Sequence, residues 1–235
     1  MQEQIEVALI TGASKGLGRE IARAYARTGQ RLVLTARGTA DLQRTADELR
    51  GLSDVLALAG DVNDAAHRER LVRLAYARYG RIDVLINNAS ELGAMLPLED
   101  LPLATLEDVL RTNVVAPLRL IQLVLPGMRA RGSGLIVNVS SDAAVESYPT
   151  WGGYGTSKAA LEQMSRVLAA EVEGSGVRVV VVDPGDMNTD MHRAAEPGAD
   201  LSGLPGPEVA APAFVRLLES GTGRVRAQEA NYVNA

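Results

Sequence analysis

The chain has 235 residues, within the range of one large α/β domain or two small ones, and its 46% apolar content is ample for a buried core. With 24 basic against 29 acidic side chains the formal charge is −5, which argues against a general binder of nucleic-acid backbones, a task that relies on clustered Lys and Arg. Cysteine is absent, so disulfides, thiolate zinc sites and cysteine nucleophiles are excluded.

The first apolar run, Val7–Ile10, reads as a strand, and TGASKGLG at 11–18 follows it directly. Gly12, Gly16 and Gly18 in a strand-to-helix turn let a pyrophosphate approach the backbone, and the unpaired N–H groups of the helix start supply donors and a favourable dipole. The spacing is G-x-x-x-G-x-G, so taken alone it leaves the chemistry undecided. A helix is predicted over 16–29, with Ile21 and Tyr25 on one face, then a strand at Leu32–Leu34, a helix over 40–51 and a strand at Val55–Leu58. A helix over 65–79, carrying Leu71, Leu74 and Ala75, leads to a strand at Val84–Ile86 and then to Asn87-Asn88-Ala89. Next come one helical region over 103–131 containing Asn113, a strand at Leu135–Val139 followed by Ser140-Ser141, a helix over 154–174 and a strand at Val177–Val182. Gly29, Gly51, Gly80, Gly132 and Gly174 stand where left-handed helix caps are expected. The alternation predicts an α/β fold, a single doubly wound domain over 1–235 with a parallel sheet flanked by helices on both faces. Residues 185–207 defeat both periodicities and are expected to form a loop over a site, with the substrate loop near 186–207.

The two histidines, His67 and His192, lie far apart without metal-ligand spacing; both are expected to be ordinary surface residues, and no metal is expected. No stretch approaches the ~20 apolar residues of a membrane span. The opening MQEQIEVALITG has no basic segment before its short apolar run. A cytoplasmic protein with neither membrane nor nucleic-acid partners is the expectation.

YGTSK places Tyr154 and Lys158 four residues apart, on one helix face, where they can act on one ligand. A nearby ammonium stabilises a phenolate and is expected to lower the tyrosine pKa from its usual ~10. Tyr-x-x-x-Lys alone is common enough by chance that it needs company. Asn87-Asn88-Ala89 and Ser140-Ser141, at the C-terminal ends of predicted strands, and Asn113 in the next helical region provide it, because ligands bind there in open α/β sheets.

With TGASKGLG, Asp61-Val62, NNA at 87–89, Asn113, IVNVSS at 136–141, YGTSK at 154–158 and PGDMNT at 184–189, the chain resembles the short-chain dehydrogenases/reductases over roughly residues 5–190. The resemblance implies a Rossmann-type fold and hydride transfer between a nicotinamide and a carbonyl or alcohol. It makes Tyr154 the proton donor or base, Ser141 the donor to the substrate oxygen, Lys158 the ribose ligand that tunes Tyr154, and Asn113 the holder of a relay water. Cofactor contacts are implied for Gly12, Ser14, Lys15, Gly16, Leu17 and Gly18. Asp61 and Val62 would lie near the adenine, Asn87, Asn88 and Ala89 along the adenosine half, and Pro184, Gly185 and Thr189 towards the nicotinamide. An NAD-preferring member would carry an acid where Ala36 stands; here Arg37 follows and Lys15 sits in the turn, so NADP(H) is expected.

Three departures stand out: Ser90 and Ala143-Ala144 replace frequent glycines, and the end GRVRAQEANYVNA lacks the usual final hydrophobic strand and glycine-rich terminus. A homodimer through 103–131 and 154–174, where Ala159 and Ala160 permit close helix approach, is expected, with tetramer formation open. Small-molecule specificity should be set by 92–96, 142–151 and 186–204. Trp151 faces either the substrate or a packing partner, and Asp142 and Glu146 make that side acidic. Two alternatives accompany the carbonyl reductase: a reductase of carrier-bound 3-oxoacyl groups, for which Arg129 and Arg131 would meet an acidic carrier, and a dinucleotide-binding regulatory protein without catalysis.

Overall fold

A computed structural model describes residues 7–228. The opening hexapeptide and the end of the chain, on which the leader and glycine-rich-terminus expectations fall, lie outside the described residues. Seven parallel strands form one sheet: β1 (Val7–Thr11), β2 (Arg31–Ala36), β3 (Val55–Ala59), β4 (Val84–Asn87), β5 (Gly134–Val139), β6 (Val177–Asp183) and β7 (Gly223–Arg226), in the order β3-β2-β1-β4-β5-β6-β7. Alternate residues of a strand face opposite sides, so a sheet covered on both faces demands unbroken apolar runs. In β1, Ala8 and Ile10 join the core on one side, with Leu32, Leu34, Val180 and Phe214. Val7 and Leu9 join the other, with Leu71, Val124, Met128 and Leu168. Each fully buried Leu or Ile side chain contributes roughly 1.5–3 kcal/mol relative to exposure.

The helices are α1 (Gly16–Arg27), α2 (Thr39–Leu49), α3 (Ala65–Tyr79), α4 (Leu103–Leu110), α5 (Ala116–Arg131), α6 (Gly152–Glu171), α7 (Asp190–Ala195) and α8 (Ala211–Arg216). Gly80 and Gly132 cap α3 and α5 in the left-handed conformation, and Gly29 and Gly174 adopt it just beyond α1 and α6. Gly51 does not, because α2 ends at Arg50 in right-handed geometry. Tyr25 of α1 is buried and donates to the carbonyl of Phe214, tying α8 to the first helix.

Three expectations need correction. The region 103–131 is not one regular helix: residues Arg111–Val115 form a π-helical turn between α4 and α5. This run matches a membrane span by length and composition, but its Leu120, Ile121, Val124 and Met128 are buried against the sheet, as in a core helix. The C-terminal segment does supply a final strand, β7, which pairs with β6 from Val180↔Gly223 to Asp183↔Arg226. Its arginines hold it there, Arg224 and Arg226 both reaching Asp183. His67 is buried under Gly60 and within 2.8 Å of the Thr35 hydroxyl, and His192 is half-buried, so neither is an ordinary surface residue.

The strand order reverses between β1 and β4, and ligand crevices of doubly wound sheets open at that point. Thr11 closes the seam: its hydroxyl accepts from the N–H groups of Asn88 and Ala89.

Candidate active site

The glycine turn has steric reasons for its composition. Gly12 and Gly16 lie at φ +66° and +53°, where side chains are strained. A Cβ on Gly12 would stand 2.8 Å from the Asn88 amide, and one on Gly18 2.3 Å from the Gly12 carbonyl. The Asn88 amide itself donates to the Thr11 carbonyl, fastening β4 to the turn. Lys15, at the N-cap of α1, provides no side-chain cap, so the first N–H groups of the helix are left for a ligand.

A cleft of about 690 Å³ runs along this edge of the sheet. The whole glycine turn from Gly12 to Gly18 except Ala13 lines it, as do Arg37, Asp61, Val62, Asn88 and Ala89. At its far end stand Tyr154, Lys158, Pro184 and Thr189. Gly185 instead lines a smaller adjoining pocket of about 210 Å³, with Ser141, Asp142, Trp151 and His192. Asn87 is corrected: it is buried within the sheet, donating to the Asn138 side chain at 2.8 Å, and does not line the cleft. Asn63, which the sequence reading passed over, does line it, and its buried Oδ1 has no hydrogen-bond partner among the described residues.

Tyr154 borders both cavities and therefore marks their junction. Its ring is buried edge-on against Trp151, centroids 5.9 Å apart. Trp151 thus both packs against Tyr154 and lines the pocket. Burial pushes the Tyr154 phenol up to about 12, opposed by hydrogen bonding to the Ser90 and Ser141 hydroxyls. The expected depression is not found in this state. Lys158 lies over the ring, its Nζ 5.4 Å from the centroid, and donates to the Val139 carbonyl at 2.8 Å. Burial brings Lys158 down to about 8, opposed by the charge of Glu162.

Ser141 begins a short helical turn and donates to Asp142 Oδ1 at 2.9 Å. Burial raises the Asp142 carboxyl, but hydrogen bonds from Tyr148, Ser141 and the Ala143 N–H outweigh it, and the net shift is downward. Asn113 lies on the π-helical turn, buried, with its side chain fully engaged. Its Nδ2 donates to the Glu91 carbonyl and the Ser157 hydroxyl, and its Oδ1 accepts from Ser90 and the Glu91 N–H. π-turns frequently accompany functional sites because they re-aim one residue within a helix.

The stretch expected to be a loop contains α7, whose first turn is capped by the Thr189 hydroxyl. The N–H of Asn188 donates to the Pro205 carbonyl, drawing the two ends of this segment together. Asp190 pairs with Lys15 at 3.0 Å across the cleft, and Glu91 with Arg37 at 3.4 Å. Arg129 donates to the Glu171 carbonyl at the end of α6, and Arg131 to that of Ile82. Both side chains therefore serve the fold.

A parallel sheet with this strand reversal, opening its cleft on a glycine turn, is the architecture of dinucleotide-binding enzymes. The short chain dehydrogenase family profile matches residues 6–200. The chain is similar to dehydrogenase/reductase SDR family member 4 of Bos taurus, 37% identical over 80% of this chain and 68% of that one. It is also similar to the ketoacyl reductase HetN of Nostoc sp., 34% identical over 92% of this chain and 76% of that one. A solved metagenomic short-chain oxidoreductase in complex with NADP superposes with a TM-score of 0.81 at 30% identity, covering 95% of this chain and 99% of that one. The chain belongs to the short-chain dehydrogenase/reductase family, and its activity class is oxidoreductase.

Proposed function

We propose that this protein is an NADP(H)-dependent reductase of small carbonyl compounds, reversible towards the alcohols, with Tyr154 as general acid or base. The observation that carries the reading is the position of Tyr154 at the junction of the long cleft and the small pocket. The cleft fits a dinucleotide: its glycine turn has no room for a Cβ at Gly12 or Gly18, and among the described residues the start of α1 has no side-chain cap and Asn63 Oδ1 is an unpartnered acceptor. Gly12 to Gly18 would hold the pyrophosphate, and Lys15 and Arg37 a 2′-phosphate. The bound nicotinamide would supply the hydride.

The side chains divide the remaining work. Ser141 turns its hydroxyl from Asp142 to a substrate oxygen, and Tyr154, protonated at neutral pH in the free site, delivers its proton to that oxygen. Lys158 would hold a cofactor ribose, and its ammonium field stabilises the phenolate left behind. The side chain of Asn113 has no capacity to spare, so any relay water falls to its main chain. Parallel assays of NADPH oxidation over a ketone panel, with the unaltered protein and Tyr154→Phe, test the reading. Turnover abolished by the substitution supports it, whereas cofactor binding with no turnover would favour the regulatory alternative. A carrier-bound 3-oxoacyl substrate is the second reading, supported by the name of the HetN relative; turnover confined to carrier-linked substrates would establish it.

The segment 186–207 is expected to close over the nicotinamide and substrate, since Asp190 already spans the cleft to Lys15. Amide exchange across it should slow in the ternary complex; equal protection with and without ligands would refute a lid. A second copy of this chain is expected to cover the exposed apolar residues Leu103, Val115 and Leu118, on and between α4 and α5, and Val167 on α6. Light scattering at micromolar concentration should give twice the chain mass, and a single-chain particle would defeat this.

A further inference from the structure

Glu162 and Arg224 form an ion pair directly behind the catalytic wall, and none of the steps above uses it. Glu162 is 2% exposed, although carboxylates are seldom buried unless paired. Its Oε1 accepts from Ser140 Oγ at 2.7 Å and from Arg224 Nε at 3.0 Å. Arg224 Nη2 reaches the Ser141 carbonyl at 3.3 Å and Asp183 Oδ2 at 3.1 Å. Asp183 in turn accepts from the Gly185 N–H, at the turn that lines the small pocket. One guanidinium thus touches the residue carrying the Ser141 hydroxyl and the acid that sets the Pro184–Gly185 turn. Glu162 stands four residues beyond Lys158 on α6, the spacing that puts two side chains on one helix face.

We propose that Glu162 and Arg224 are positioning residues for the reaction: Arg224 fixes Ser141 and the Pro184–Gly185 turn, and Glu162 anchors Arg224 and provides the counter-charge that keeps Lys158 an ammonium. The inference rests on the reading that Ser141, Tyr154 and Lys158 carry the chemistry. Stability alone is a weak reason for this pair, because apolar residues of similar volume commonly replace buried ion pairs at no cost. Its placement is the stronger reason, since it links β5, α6 and β6, the elements that bear or adjoin these three groups, to the edge strand β7.

The charges around Lys158 decide the sign. On α6 stand Tyr154, Glu162 and Arg166, the last 3.6 Å from Glu162. Asp142, on the short turn packed against α6, and Asp183, on β6, both act on Tyr154. From β7, Arg224 faces Glu162, and Arg226 faces Asp183. Among these, the negative charge of Glu162 raises the Lys158 pKa against its burial. Neutralising Glu162 removes that support and leaves the nearby arginine charges, so Lys158 loses its proton at lower pH.

The test compares the unaltered protein with Glu162→Gln, Arg224→Met and Arg224→Lys, each first checked for unchanged melting temperature. NADPH affinity by fluorescence and kcat on a ketone are both followed from pH 6 to 10. In Glu162→Gln the alkaline loss of both quantities should move down by about one pH unit, the scale of one missing neighbouring charge. In Arg224→Met, kcat should fall by about tenfold or more with little change in ketone KM, and Arg224→Lys should restore part of it, the pattern of a lost transition-state contact. Unmoved pH limbs in Glu162→Gln, or a parental kcat in Arg224→Met, would overturn the proposal. Should Arg224→Met fail to fold, Glu162→Gln and Arg224→Lys decide. A parent that turns over no ketone refutes the underlying reading, and the pH dependence of its NADPH affinity still tests the Glu162–Lys158 coupling.

Discussion

Tyr154→Phe should lose roughly two to three orders of magnitude in turnover, the scale expected for removing a positioned acid–base group. Folding should survive, because the phenyl ring retains its edge-on contact with Trp151 and its place in the wall. Only the hydroxyl is lost, together with its hydrogen bonding to Ser90 and Ser141. Each such bond contributes about 0.5–1.5 kcal/mol, so the melting temperature should move little. The pH dependence follows from the two shifts. With the phenol at about 12 the free site holds its proton throughout the physiological range, which suits ketone reduction. With Lys158 at about 8 the ammonium is present below that value and lost above it, so reduction should decline on the alkaline side as Lys158 rather than Tyr154 deprotonates. Stopped-flow measurement of NADPH oxidation from pH 6 to 10, alongside thermal melts, checks both parts; a variant retaining more than a tenth of parental turnover would remove Tyr154 from its role.

Much of the fold was readable because burial on both faces of a parallel sheet leaves runs that tolerate few polar residues, as in Val7–Ile10 or Val177–Val182. The strand Gly223–Arg226 breaks that rule. Only Val225 of GRVR is buried, and the strand is held by arginine contacts to Glu162 and Asp183 that no local pattern announces. The π-turn at Arg111–Val115 was equally invisible, since RTNVV suits an ordinary helix; the turn shows only in the way Asn113 is clamped to Glu91 and Ser157. His67 looked like a surface residue because its burial depends on Gly60, where a Cβ would fall 2.1 Å from its ring. One element carried a signal that went unread: Thr189 before DMHRAA is a good helix cap, and α7 begins there. Within the site, the Tyr154–Lys158 spacing was legible, whereas the phenol shift was not, because it is set by burial rather than by the neighbouring ammonium.

Cofactor choice should favour NADP(H) over NAD(H) by roughly ten- to a hundred-fold in affinity, the equivalent of one charge-assisted contact of ~1.5–3 kcal/mol. The selecting residues sit at the end of β2. Ala36 is buried and lines the cleft, so the position that would bear a ribose-binding acid in an NAD-preferring site carries only a methyl group. Arg37 follows, and Lys15 faces the same cleft from the glycine turn. Each cation currently has a carboxylate partner, Glu91 and Asp190 respectively. Those pairs are weak rivals to a phosphate: the Lys15 and Asp190 side chains are 66% and 60% exposed, and exposed pairs contribute about 0–1 kcal/mol. A 2′-phosphate brings more charge and more acceptor oxygens, and guanidinium geometry suits it in particular. Arg37→Ala should therefore collapse the preference towards equality. Adding Ala36→Asp should reverse it, since the new carboxylate accepts from ribose hydroxyls and repels the phosphate. Parallel fluorescence titrations with NADPH and NADH, repeated at rising salt, give the ratios directly. The NADPH advantage should shrink as salt screens the exposed cations. Equal affinities in the unaltered protein, or a double variant that still prefers NADPH, would show that Lys15 and Arg37 do not read the phosphate.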